Sequence, residues 1–201
     1  MVPPESSDVG ERADAAAELR RLADGIAPTR TVALVGLMGA GKTTIGRRLA
    51  QALALPFVDA DEAIVAAAGR SIEDIFAERG ECEFRRGERQ VISRLLDNPP
   101  HVLATGGGAF IDPRTRELMK SRAISIWLKA PLDVLMKRVS KRDHRPLLKE
   151  DDPRAVMRRL MDERYPIYAE ADLMIETGIG PHNSAVTQIL AALRKHLQVG
   201  S

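Results

Sequence analysis

The chain reads as an α/β fold, a parallel sheet packed between helices, and three observations predict it. Short apolar runs rich in β-branched residues alternate with longer helical segments, the order that builds βαβ units. The first such run, Thr31–Gly36, passes through a glycine-rich turn straight into a helix. The acids, glycines and arginines with chemical potential fall just after the runs, and the carboxyl ends of parallel strands are where ligands collect.

Each element follows in order. Residues 1–30 form an N-terminal extension, partly disordered, with a short helix from Ala13 to Asp24. Ala15, Leu19, Leu22 and Ile26 fall at helical spacing there, and Gly25 then Pro28 stop it. This helix is expected to dock on the rest of the chain. Residues 31–201 form a single domain. Its strands are predicted at Thr31–Gly36, Leu55–Asp59, His101–Thr105, Ala123–Leu128 and Asp172–Glu176. Helices are predicted at Lys42–Leu55, Glu62–Ala68, Ile72–Leu96 with a break near Gly80, Pro113–Ser121, Leu132–Lys141, Pro153–Tyr168 with an interruption at Pro166, and Ala185–Leu197. A charged loop separates Lys141 from Asp152.

Composition narrows the function classes. Hydrophobic residues make up 44% and aromatics only 3%, so aliphatic side chains and Met must fill the core. A formal net charge of +2 gives no footprint for nucleic acid. Residues 1–30 hold six acids against four bases, which leaves the remainder mildly basic. The single cysteine, Cys82, permits no intrachain disulfide, which fits a reducing compartment and a cytoplasmic location. No apolar run approaches the ~18 residues of a membrane span. The first residues lack the apolar stretch of a secretory signal and are too acidic for an organellar transit peptide.

The strongest motif is Gly36-Leu37-Met38-Gly39-Ala40-Gly41-Lys42-Thr43, which matches G-x-x-x-x-G-K-[ST] between a strand and a helix. Glycines let backbone N–H groups converge on phosphate oxygens without a Cβ in the way. The helix start adds its positive dipole end. Lys42 can reach the β- and γ-phosphates, and the Thr43 hydroxyl can ligate Mg²⁺. Nucleotide binding at Gly39–Thr44 is expected.

Two carboxylates follow in Phe57-Val58-Asp59-Ala60-Asp61. Alternate residues on an extended chain point the same way, so both can face one crevice. One can hold Mg²⁺, and the other can orient or deprotonate an acceptor hydroxyl. The structural alternative is that Asp61 only caps the next helix. Gly106-Gly107-Gly108 is a poor strand sequence, so the backbone turns sharply or something approaches it closely. Arg85, Arg145 and Arg164 stand beside Phe84, Pro146 and Tyr165. Isolated arginines are most often solvated. A carboxylate on a substrate, however, calls for a bidentate guanidinium. A loop arginine such as Arg145 can close over the charge of phosphoryl transfer and exclude water.

Taken in order, these motifs resemble the shikimate kinase family. They run G-L-M-G-A-G-K-T-T-I-G-R-R-L-A at 36–50, F-V-D-A-D at 57–61, G-R-S-I-E-D-I-F at 69–76, the G-E-x-E-F-R-x-x-E stretch at 80–88, G-G-G at 106–108 and R-P-L-L at 145–148. The resemblance covers about Arg30 to Leu197. It implies a three-layer P-loop kinase fold with a central five-stranded parallel sheet and a mobile lid at about 141–152. It implies γ-phosphate transfer from ATP to the 3-hydroxyl of shikimate, in the route to chorismate and the aromatic amino acids. The family's pattern makes Asp61, Lys42 and Arg145 catalytic and gives Mg²⁺, one ion per subunit, to Thr43 and Asp59. ATP falls to Gly39, Ala40, Gly41, Lys42, Thr43, Thr44, Arg138 and Arg145, with Arg138 beside the adenine. Shikimate falls to Asp61, Arg85, Gly106, Gly107, Gly108 and Arg164. The partners implied are these two small molecules, with no nucleic acid and no membrane, and a monomer is expected. The chain departs at Glu176–His182, which lacks an arginine sometimes found beside the adenine. Another small-molecule kinase of the same fold, such as a gluconate kinase, would share the phosphate loop without needing the D-x-D, F-R-x-x-E and G-G-G set together.

Overall fold

A computed structural model describes residues 6–140 and 152–199. Helix α1 (Ser6–Ala23) precedes strand β1 (Thr31–Val35), helix α2 (Lys42–Leu53), strand β2 (Phe57–Asp59), and helices α3 (Ala60–Ala68) and α4 (Ile72–Leu96). Strand β3 (Val102–Ala104), helix α5 (Pro113–Arg122), strand β4 (Ala123–Lys129) and helices α6 (Leu132–Val139) and α7 (Pro153–Tyr168) follow. Strand β5 (Leu173–Glu176) and helix α8 (His182–Val199) complete the chain.

The five strands form one sheet in the order β2-β3-β1-β4-β5, and every pairing is parallel. The register sets Val32 beside both Val102 and Ile124. All residues of β1 and β3 are buried, as expected of parallel strands covered on both faces. Right-handed crossovers decide which helix covers which face. The step from β1 to β2 runs one way and puts α2 on one face. The steps β2 to β3, β3 to β4 and β4 to β5 run the other way and put α4, α5 and α7 on the opposite face. Accordingly α1, α2 and α8 pack on one another, while α5 packs on α4 and β4.

Sequence signals end several helices where expected. Ser71, Asp112 and Asp152 accept backbone hydrogen bonds as N-caps of α4, α5 and α7, and Pro113 and Pro153 open two of those helices. Gly80 breaks α4 as foreseen, with φ 75° and ψ 174°. Other boundaries differ. Helix α1 begins at Ser6, well before Ala13, so the two serines are helical. Leu22, placed on its buried stripe by spacing, is 39% exposed, whereas Leu19, Ala23 and Ile26 enter the main core. Pro166 does not interrupt α7, because a donor missing this close to the helix end costs little. The hydroxyls of Tyr165 and Tyr168 pin that turn to Ala130 O and Gly107 O. Residues 1–5, and all of the charged loop except Asp152, lie outside the described residues. Arg145 is among them.

Candidate functional site

The carboxyl ends of β1, β2 and β3 open into a cleft of about 750 Å³. The loop between β1 and α2 forms its floor. Gly36, Gly39 and Gly41 all have positive φ, at 136°, 81° and 100°. A Cβ on Gly36 would stand 2.8 Å from Leu128 O, and one on Gly39 3.0 Å from Leu135 O. Glycine is thus required twice over, for backbone conformation and for close packing. The N-cap of α2 is Gly41, with no side chain bonded to the helix start, so its first N–H groups face the cleft uncapped. Lys42 Nζ donates to Gly36 O at 2.7 Å and Leu37 O at 3.0 Å, folding the ammonium over its own loop.

Both carboxylates line the cleft, by a different route from the one alternation predicts. Asp59 ends β2 and itself caps α3, accepting from Asp61 N at 3.1 Å. Asp61 lies in the first turn of α3, not on the strand. The other Asp59 oxygen accepts from Thr43 Oγ1 at 2.9 Å. A hydroxyl and a carboxylate therefore meet at the edge of the phosphate loop. Magnesium is usually held by one or two carboxylates together with substrate phosphates rather than by a protein cage. Among the described residues no group of three or more His, Cys, Asp or Glu side chains gathers around one point, and the Thr43–Asp59 oxygen pair fits that mode of binding.

The glycine triplet has no positive φ. It is needed for space, which the protein's own side chains fill. A Cβ on Gly106 would lie 2.8 Å from Asp61 Oδ1 and 3.0 Å from Glu88 Oε1. A Cβ on Gly108 would lie 2.3 Å from Arg85 NH2. Gly107 packs against the phosphate loop and accepts from the Tyr168 hydroxyl and, at 3.5 Å, from Arg164 NH1. The triplet thus draws Asp61, Arg85 and Arg164 to one edge of the cleft. Arg85 lies over the Phe84 ring, 5.1 Å from its centroid, and Phe84 packs against Phe76 with the rings tilted by 31°.

Glu88 was not assigned a role from sequence, although it closes the F-R-x-x-E motif. It is 1% exposed and accepts from Arg85 NH1 at 2.7 Å. Burial pushes its carboxyl above the ordinary carboxylate value, with Arg85 opposing and Asp61 and Asp112 adding to the rise. The sequence signal was the i, i+3 spacing of an acid to Arg85. Tyr168 and His182 were also missed. Burial pushes the Tyr168 hydroxyl up to about 12. His182 lines the cleft beside the phosphate loop.

Among the sequence-predicted residues, Gly39, Gly41, Lys42, Thr43, Thr44, Asp59, Asp61, Gly107 and Arg138 line the cleft. Ala40 is buried beneath it. Arg85, Gly106, Gly108 and Arg164 stand at its edge through the contacts above. Arg138 donates to Gly39 O, Ala40 O and Gly178 O, tying the phosphate loop to the loop after β5. Arg145 lies outside the described residues.

A family model described as shikimate kinase matches residues 38–194. A shikimate kinase of Caulobacter vibrioides is 57% identical over 176 residues, covering 87% of this chain and 88% of the relative. One from Paramagnetospirillum magneticum is 55% identical, covering 85% and 87%. Among solved structures, the shikimate kinase of Acinetobacter baumannii in complex with shikimate aligns with TM-score 0.81 at 36% identity, covering 87% of this chain and 98% of that one. The Aquifex aeolicus shikimate kinase aligns at 0.71 and 31% identity, covering 84% and 98%. A gluconokinase of Sinorhizobium meliloti, 17% identical with TM-score 0.56, shares the fold alone.

Proposed function

The chain belongs to the shikimate kinase family, and from that premise we infer that it transfers the γ-phosphate of ATP to the 3-hydroxyl of shikimate, giving shikimate 3-phosphate and ADP. One observation carries the reading for this chain's own residues. An uncapped phosphate loop, two carboxylates and two arginines meet around a single glycine triplet. The first binds a nucleotide, and the others suit an acceptor with hydroxyls and a carboxylate.

The roles follow from chemistry. Amides of the 36–42 loop, Lys42 and the dipole of α2 neutralise the phosphates. Thr43 and Asp59 would hold Mg²⁺, which when bound offsets charge on the phosphate oxygens. Asp61 orients the 3-hydroxyl and accepts its proton as the oxygen attacks phosphorus. Arg85 and Arg164 pair with the shikimate carboxylate, and Gly106, Gly107 and Gly108 line the acceptor end, Gly106 and Gly108 leaving room for the Asp61 carboxylate and the Arg85 guanidinium that contact it. Glu88 holds Arg85 in place, a positioning role. Arg138 flanks the adenine at the far end. Arg145, outside the described residues, would add a further cation to the charge of the transferring phosphoryl group. Residues 1–30 are an appendage to one catalytic domain, and the enzyme acts as a cytoplasmic monomer.

Phosphorus NMR of a reaction mixture of ATP, Mg²⁺ and shikimate tests this reading. Loss of ATP should match the appearance of ADP and a single phosphomonoester on the 3-oxygen. ADP appearing with inorganic phosphate instead would reject transfer to shikimate. Asp61→Asn should cut kcat by a factor on the order of 10² or more, and a near-normal kcat would reject its role.

A further inference from the structure

His182 is the first residue of α8 and half-buried in the cleft. Its Cε1 lies 3.7 Å from the position a Cβ on Gly41 would take, and Arg138 NH1 lies 3.6 Å from the same point. The imidazole and the guanidinium therefore meet over the last glycine of the phosphate loop. The ring makes no hydrogen bond among the described residues. An imidazole left open at the mouth of an anion site has its two nitrogens available to a ligand.

Its surroundings are cationic. Arg138 from α6 and Arg48 from α2 act on it, and with burial, the larger effect, they hold the ring's pKa below its ordinary value. Lys42 and Lys137 line the same cleft. The cleft's carboxylates, Asp59, Asp61 and Glu62, are not among the charges that act on the ring. The N-terminus of α8 adds its positive dipole end to this set.

We propose that His182 is a proton-linked nucleotide contact, neutral in the empty cleft and protonated when a nucleoside triphosphate fills it. This rests on the cleft being the ATP site. A triphosphate brings several negative charges onto the 36–42 loop and reverses the field at the ring. The imidazolium can then donate to a nucleotide oxygen, and the proton it gains is taken from solvent. The sign follows from linkage. A group that binds its proton more tightly in the complex makes the nucleotide bind better as pH falls. The gain sits between the bound-state and empty-state titrations and levels off below both.

Titration calorimetry on the full chain tests this, with a non-hydrolysable ATP analogue and Mg²⁺ in two buffers of different ionisation heat near neutral pH. Wild type should take up a fraction of a proton on binding, and His182→Gln should take up measurably less. The nucleotide's own titration is common to both proteins, so the difference belongs to residue 182. The ATP KM of wild type should fall roughly threefold or more from about pH 7.5 to about pH 6 relative to the variant. His182→Asn serves as a second substitution if the first does not fold. Equal uptake in wild type and variant would overturn the inference alone. Failure of wild type to bind nucleotide at all would overturn the ATP-site reading with it.

Discussion

Gly108 leaves no room for a methyl group. A Cβ there would meet three Arg85 guanidinium atoms at 2.3 to 2.5 Å. The obstacle is the tip of a flexible side chain, so the fold should survive Gly108→Ala while Arg85 swings out. The KM for shikimate is expected to rise about tenfold or more, the loss of one charge-assisted contact, with the ATP KM little changed. Steady-state kinetics with each substrate varied in turn separates the two. Glu88→Gln probes the other side of Arg85. It removes the charge that holds the guanidinium, so the shikimate KM should again rise about tenfold. It should also alter stability. A carboxyl raised above its ordinary 4.5 binds a proton more tightly folded than unfolded. Its contribution is therefore present below that pH and lost as pH rises through the folded value. Denaturant unfolding of wild type from about pH 4.5 upward should show that loss, and the Gln variant should lack it. At this scale the sequence was most legible where glycine or charge has few substitutes. The phosphate loop could be read directly. The triplet could be read as crowded, but whether ligand or protein fills the space depends on Asp61 and Arg85, which tertiary packing alone brings together.

Helix α7 carries one wall of the site through two phenols. Tyr165 donates to Ala130 O at 2.6 Å, and Tyr168 donates to Gly107 O. Burial pushes both hydroxyls up, Tyr168 to about 12. These are the chain's two tyrosines. The folded protein should thus show less phenolate absorbance at about pH 10 than the unfolded chain, which shows half of its full signal there. A raised value means that stability from Tyr168 is complete below pH 10 and lost as pH rises through about 12. Tyr168→Phe should remove that dependence and loosen Gly107. Among elements, strands with apolar β-branched runs and helices with Ser, Asp or Pro at their start were legible. The start of α3 was not. Asp59 caps that helix, so the alternation of an extended chain, which stops at Asp59, does not carry on to Asp61 in the first turn of α3. Pro166 misled in the opposite direction, because its cost depends on how near the helix end lies, and sequence alone sets that poorly.

At the scale of the molecule, strand order places the chemistry. The chain leaves β1 toward β2 and later crosses from β3 to β4 in the opposite sense, so a crevice opens at the carboxyl ends between them. Sequence predicts the parallel sheet and the crevice end; strand order emerges only from pairing. The far side rests on α1. Leu19, Ala23 and Ile26 are buried, and Arg194 from α8 donates to the carbonyls of Leu22 and Asp24 at the helix end. Removing residues 1–26 strips two large aliphatic side chains from the core, worth roughly 3–6 kcal/mol. The Tm should fall on the order of 10 °C, with both KM values little changed at a temperature where the shortened chain is folded. Thermal unfolding alongside kinetics would check this.

The central claim is that this cleft moves phosphate from ATP to shikimate. It is tested most directly by coupled ADP release with ATP and Mg²⁺, run in parallel with shikimate, with gluconate and with no acceptor. Turnover with shikimate alone is the expected result. Turnover with gluconate, or equal ADP release without any acceptor, would contradict it.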